Sequence, residues 1–282
     1  MKCSSAIQKI VLMASSSSPQ RLRQWANFQS SPKKARTMST QSSLKDAFSS
    51  YADYLNNLNE KRERVVKASR DITMNSKKVI FQVHRISKNK KEEVLEKAYK
   101  DLAAVMNQYV ARLVKELKGS DFWKLRRAYS PGIQEYVEAA TLCRFCKSGT
   151  LLSLEEMNAS FSSLSNPSQE PLQINILDYI LGLADLTGEL MRLAIGRISD
   201  GELQYAEKIC TFVREIHREL TLLVPHMDEP SDMKTKMETM LQSVIKIENA
   251  CFSVHVRGSE CNLLGTDDSS YSLMGAAEGI DL

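Results

Sequence analysis

Four acidic residues stand at spacings that can do chemistry. Glu135 and Glu138 lie three apart in Gln134-Glu135-Tyr136-Val137-Glu138-Ala139-Ala140, and Asp185 and Glu189 lie four apart in the stretch Leu183 to Met191. On a helix, either spacing puts both carboxylates on one face. Two such helices facing each other would offer four oxygen ligands to a hard cation, Mg²⁺ or Mn²⁺. Asp178, seven before Asp185, falls on the same face as a further ligand or as a group supporting one. Spacing alone is weak, because 34 acids in 282 residues produce such pairs by chance on solvated helix faces. The surroundings argue otherwise. Leu142, Cys143, Phe145, Ile180, Leu183 and Met191 flank the pairs, and carboxylates in apolar company repel unless protonated, paired or metal-bound. Ala184 and Gly188 leave room beside Asp185 for a substrate backbone.

Other chemistries find less support. A ferritin-like di-iron centre needs Glu-x-x-His motifs, whereas Glu135 is followed three residues later by Glu138, and His84, His217, His226 and His255 are scattered. The sequence holds no P-loop, no Gly-x-Gly-x-x-Gly in a strand–helix context and no Gly-x-Ser-x-Gly. Cys143 and Cys146 form a Cys-x-x-Cys with no second pair to complete a zinc site, so they read as small core residues. Six cysteines without a dense framework point to a reducing compartment. No run of about 18 apolar residues exists to span a membrane.

The net charge is only +4, but it is unevenly spread. Residues 61–91 hold eleven Lys or Arg against Glu63 and Asp71. Arg64, Lys67 and Arg70 step along one helical side, with Lys77 and Lys78 extending the run. Such a stripe binds phosphates by releasing counterions, or is simply a solvated face. Phe81 and His84 either stack on bases or face the core or a partner. Residues 1–45 carry eight basic residues and no acid. Three readings of this segment stay open: an organelle transit peptide, a tail with an import signal at Ser31-Pro32-Lys33-Lys34-Ala35-Arg36, or a stretch skipped by starting at Met38.

The elements that must position these residues are helical. Gly and Pro are few, 11 and 7, and apolar residues recur at three and four. A first helix runs from 43 to about 87, with Phe48, Tyr51, Leu55 and Leu58 in its early turns. A second spans 91–118, with a stripe of Leu95, Leu102, Val105, Met106, Tyr109, Leu113 and Leu117, stopped at Gly119 before an N-cap at Ser120. A third covers 121–148, with a kink or restart at Pro131. A short helix at 151–161 opens at Ser153, and a linker fills 162–172. Helices at 174–198, 201–223 and 231–257 follow. The expected organisation is a disordered basic tail at 1–42, an all-α bundle of about seven helices at 43–258, and a disordered acidic tail at 259–282. A first helix beyond 40 residues outreaches such a bundle, so oligomerisation is expected.

Several runs carry a family resemblance: Lys67 to Thr73, Gln134 to Ala139, Asp178-Tyr179, Gly182 to Arg192, Ile247 to Cys251 and Val256 to Glu260. Over about 43–260 the chain resembles the translin family, in its translin-associated factor X branch. The resemblance implies a translin-like helical fold and assembly with translin into a closed hetero-oligomeric shell. It implies a Mg²⁺-dependent endoribonuclease acting on single-stranded or nicked small RNAs, in RNA silencing and tRNA-fragment processing, in cytoplasm and nucleus. The family's catalytic, metal-holding carboxylates fall on Glu135, Glu138, Asp185 and Glu189. Arg64, Lys67, Arg70, Lys77 and Lys78 would hold the RNA backbone, with Arg192 as helper. The alternative is a non-catalytic binder of single-stranded DNA or RNA that stabilises translin.

Overall fold

The computed structural model describes residues 40–87, 89–119, 122–164, 171–227 and 230–263. Seven helices follow in chain order, and no strand occurs among the described residues. They are α1 (Thr40–Val83), α2 (Lys91–Ala104, continued through a π-helical segment Val105–Val110 into Ala111–Leu117), α3 (Phe122–Ser148), α4 (Leu154–Ser162), α5 (Ile176–Ser199), α6 (Leu203–Leu223) and α7 (Pro230–Leu263). The expected all-α bundle with a long first helix is the fold observed. Of the two expected tails, only Thr40–Ser42 and Ser259–Leu263 fall within described helices; the rest, like Ser120 and residues 165–170 of the linker, lies outside the described residues. No described helix is long and apolar enough to cross a membrane.

α3 is the central element, with α1 along one side and α5 along the other. α6 and α7 pack on α5 and on each other, and α2 lies against α1 and α3. Cys143 and Cys146 sit buried in α3 among this core, and burial pushes their thiols up to about 12 and about 11. They are core residues, as their isolation in the sequence suggested.

Local chemistry explains most boundaries. Gly119 and Gly201 close α2 and α5 at φ of 69° and 78°, a left-handed conformation that costs glycine little. α4 opens on a capping box: the Ser153 hydroxyl accepts from the Glu156 N–H, and the Glu156 carboxylate accepts from the Ser153 N–H. In α2 the π segment shifts the stripe by one residue. Val110 is therefore buried, and Tyr109, expected in the core, is half-buried.

Of the kink or restart expected at Pro131, the restart does not occur: α3 runs as one helix through it. Ser69 of α1 braces this turn. Its buried hydroxyl donates to the Tyr129 carbonyl and accepts from the Gly132 N–H, at 3.2 and 3.1 Å. A neighbouring helix thus satisfies backbone groups on both sides of the proline, where the missing N–H weakens the ladder.

α1 is 44 residues long, roughly 66 Å at helical rise. Val65, Ile72, Val79 and Val83 are buried along its core face. The same three-and-four spacing continues back through Leu55, Tyr51, Phe48 and Leu44, all of which stand exposed. The helix carries its apolar row past the end of the bundle.

One close approach sets the distance between the two acid-bearing helices. At Gly182 of α5, a Cβ would meet the Gln134 carbonyl oxygen of α3 at 2.8 Å and the Val137 side chain at 2.9 Å. At Gly188, one helical turn beyond Ala184, a Cβ would meet nothing within 4 Å. Gly182→Ala should therefore overpack the α3–α5 contact and lower stability by about 1–3 kcal/mol. Gly188→Ala should be neutral or stabilising by up to about 1 kcal/mol. Urea unfolding of both variants checks the contrast.

Candidate functional site

α3 presents Glu135 and Glu138, α5 presents Asp185 and Glu189, and all four line one open cavity of about 330 Å³. Lys77 of α1 and Lys236 and Thr239 of α7 complete its walls. The two acid pairs face each other because α3 and α5 touch at Gly182, less than one turn before Asp185.

The four carboxylates differ in environment. Glu138 is 7% exposed, and among the described residues it forms no ion pair. Burial, then the neighbouring Glu135, Asp185 and Glu189 charges, push its carboxyl up to about 8. Burial raises Glu135 too, opposed by Lys77, whose ammonium sits 3.2 Å from its Oε2. Glu189 moves the other way. The Nε2–H of His84 donates to it at 2.6 Å, holding it below the usual carboxylate range against the effect of burial. Arg192 lies 3.3 Å from the same oxygen. Asp185, at the mouth, pairs with Lys236. The proton affinities are thus spread across one cavity, as in sites that divide acid and base roles.

The donor set suits a hard divalent cation: four carboxylates, all oxygen, one of them buried with no cation beside it. As placed, the other three are drawn toward their basic partners. Among the described residues no three His, Cys, Asp or Glu side chains converge closely enough to grip a metal ion. A cation would have to take oxygens now held by lysines, both of which reach in on long flexible stems.

The structure divides the basic residues singled out in the sequence. Lys77 and Arg192 reach the carboxylates. Lys78 donates to Asn75 on its own helix. Arg64 is tied to Glu116 at the end of α2, at 3.0 Å. Lys67 and Arg70 are exposed on α1. Phe81 is 60% exposed, so it does not face the core; His84 faces Glu189 instead of solvent.

Asp178 does not line the cavity. It is 1% exposed and fully engaged: Arg126 donates two bonds at 3.2 and 3.3 Å, Gln134 one at 3.1 Å, and Ser130 another. It fastens the first turn of α5 to α3. Sequence reasoning missed Lys236 and Thr239, because nothing along the chain links α7 to the acidic pairs. The His84–Glu189 bond was also hidden, since the two residues are 105 positions apart.

Comparison with known proteins bears on this arrangement. The translin family profile matches residues 60–258. The "Translin-associated protein X" of Rattus norvegicus is 34% identical over 246 residues, covering 81% of this chain and 84% of that protein. Among solved structures, apo-NeC3PO superposes with a TM-score of 0.54 at 21% identity, covering 77% of this chain and 98% of that one. An AfC3PO–duplex RNA complex gives 0.50 at 20%, covering 75% and 97%.

The raised carboxyl of Glu138 has a pH signature. The native protein holds that proton more tightly than the unfolded chain, whose carboxyl keeps its ordinary value of 4.5. The resulting stabilisation is complete below about 4.5 and is lost as pH rises through about 8. In EDTA, wild type should therefore lose stability relative to Glu138→Gln across that window. The difference should reach several degrees in thermal midpoint, read by circular dichroism at a series of pH values.

Proposed function

The chain belongs to the translin family, and from that premise we propose that it is the catalytic subunit of a divalent-cation-dependent endoribonuclease formed with translin. Its substrates are single-stranded or nicked small RNAs, and its cation is Mg²⁺, with Mn²⁺ as substitute. The observation that carries this reading is the meeting of Glu135, Glu138, Asp185 and Glu189 in one cavity with basic side chains at its edge. The relative named for association with translin supports the partner. The fold shared with a protein solved on duplex RNA is consistent with an RNA ligand. The exposed apolar row at the start of α1 supports assembly, since such a row is covered in a stable oligomer.

In this reading the four carboxylates hold the cation. When bound, it would activate water and neutralise charge on the scissile phosphate. The chain's own side chains do the rest. Lys77, with Arg192 beside Glu189, attracts and orients the RNA backbone at the cavity, while Lys67, Arg70 and Lys78 extend that field along α1 and Arg64 stands at its far end. His84 fixes the Glu189 carboxylate through their hydrogen bond. Glu138, deepest in the cavity, is the carboxyl that gives up its proton most reluctantly.

A second reading is favoured by the ion pairs on Glu135, Asp185 and Glu189: a non-catalytic single-stranded DNA or RNA binder that stabilises translin. Labelled single-stranded RNA separates the two. The chain co-purified with translin should cut it in Mg²⁺ and not in EDTA. Glu135→Ala and Asp185→Ala should each lower cleavage at least about 100-fold, more than the ~10–100-fold cost of losing a group behind a ligand. Band shifts without products, or cleavage indifferent to both variants, would favour the binder.

A further inference from the structure

Two lysines enter the cavity from opposite walls. Lys77 comes from α1 and Lys236 from α7, and each sits on one carboxylate near the mouth, Glu135 and Asp185. Each pair has one member open to solvent and one more enclosed: the Lys77 side chain is 57% exposed against 14% for Glu135, and that of Asp185 41% against 27% for Lys236, whereas Glu138 is 7% exposed. An ion pair with one member in solvent is screened on that side and can be exchanged for another partner more readily than one buried on both sides. A divalent cation seeks the same oxygens with twice the charge of an ammonium group. While both lysines sit on carboxylates, their charges are cancelled, and the rim offers a polyanion little attraction. Once displaced, each ammonium stays tethered at the rim, where a phosphate backbone must pass.

Resting on the metal-dependent RNA reading above, we propose that Lys77 and Lys236 form a two-sided latch that couples the two ligands. A divalent cation taking Glu135 and Asp185 releases both ammonium groups to RNA phosphates, so cation and RNA bind cooperatively. No covalent step is involved; two intramolecular ion pairs are exchanged for a cation–carboxylate set and two phosphate contacts. Coupling is reciprocal: RNA tightens the cation by the factor that the cation tightens RNA. Lysines that merely neutralise the acids would show no such coupling.

The test uses the full-length chain purified with translin, Mg²⁺ as cation, and a 2′-O-methyl single-stranded oligonucleotide shown on a gel to stay intact. Adding Mg²⁺ should tighten oligonucleotide binding by roughly 5–150-fold. The slope of log affinity against log salt should steepen by about 1.4, two single-strand contacts at about 0.7 each. In Lys77→Gln/Lys236→Gln the steepening should vanish and the gain should shrink to what the cation's own effect on a phosphate supplies, while each single variant should keep about half of the slope change. Calorimetric titration with Mg²⁺ alone should show the double variant binding at least as tightly as wild type, since the competing ammonium groups are gone. If Mg²⁺ binds wild type without raising oligonucleotide affinity, or raises it equally in the double variant, the latch is overturned and the metal site stands. If Mg²⁺ binds neither protein, the metal reading falls and the latch with it.

Discussion

Carboxylates from two helices can share a cavity only if the helix backbones come close, and Gly182 is where α3 and α5 do so. Any side chain there would push the acid pairs apart. The same contact creates an electrostatic problem, because four acids drawn into partly dry surroundings repel and lose hydration. The bundle answers with basic groups carried by three helices and their ends. α1 brings Lys77 and, in the turn just past its end, His84, α5 its own Arg192, and α7 Lys236, while Glu138 is relieved by keeping its proton to unusually high pH. The order in which α1, α3, α5 and α7 pack is thus tied to how the cavity's charge is balanced.

Asp178 shows the other way a fold can bury an acid. It lies on α5 two turns before Asp185, yet its carboxylate accepts four hydrogen bonds from three side chains of α3. A buried charge so enclosed is held by its donors and has little capacity left for a ligand. Asp185 and Glu135, with one lysine each and open space beside them, retain that capacity. The contrast lies in the number of competing donors, not in the residue type.

Much of the site was legible in the sequence because it lies on helix faces. The spacing of Glu135 with Glu138 and of Asp185 with Glu189 follows helical geometry, and both pairs reach one cavity. The helices themselves were readable from apolar spacing, and Ser153 from its capping pattern with Glu156. What escaped depended on contacts between distant segments. Pro131 looked like a place for a kink or restart, and the hydroxyl that braces its turn belongs to Ser69, on another helix. Asp178 shared a face with Asp185, but its donors come from Arg126, Ser130 and Gln134. Gly188 drew notice beside the acids, whereas Gly182 makes the decisive contact. Lys236 carried no local mark at all.

The protruding end of α1 has a mechanical consequence. A continuous helix transmits torsion along its length, and its pitch locks the angular phase of distant residues to one another. Leu44, Phe48, Tyr51 and Leu55 continue the row of Val65, Ile72, Val79 and Val83, and Lys77 stands at a fixed angle to that row on another side of the same helix. A neighbouring subunit that gripped that apolar end would therefore also set the azimuth at which the lysine meets the acids. Quaternary contact and local charge balance would then be two readings of a single rod's rotation.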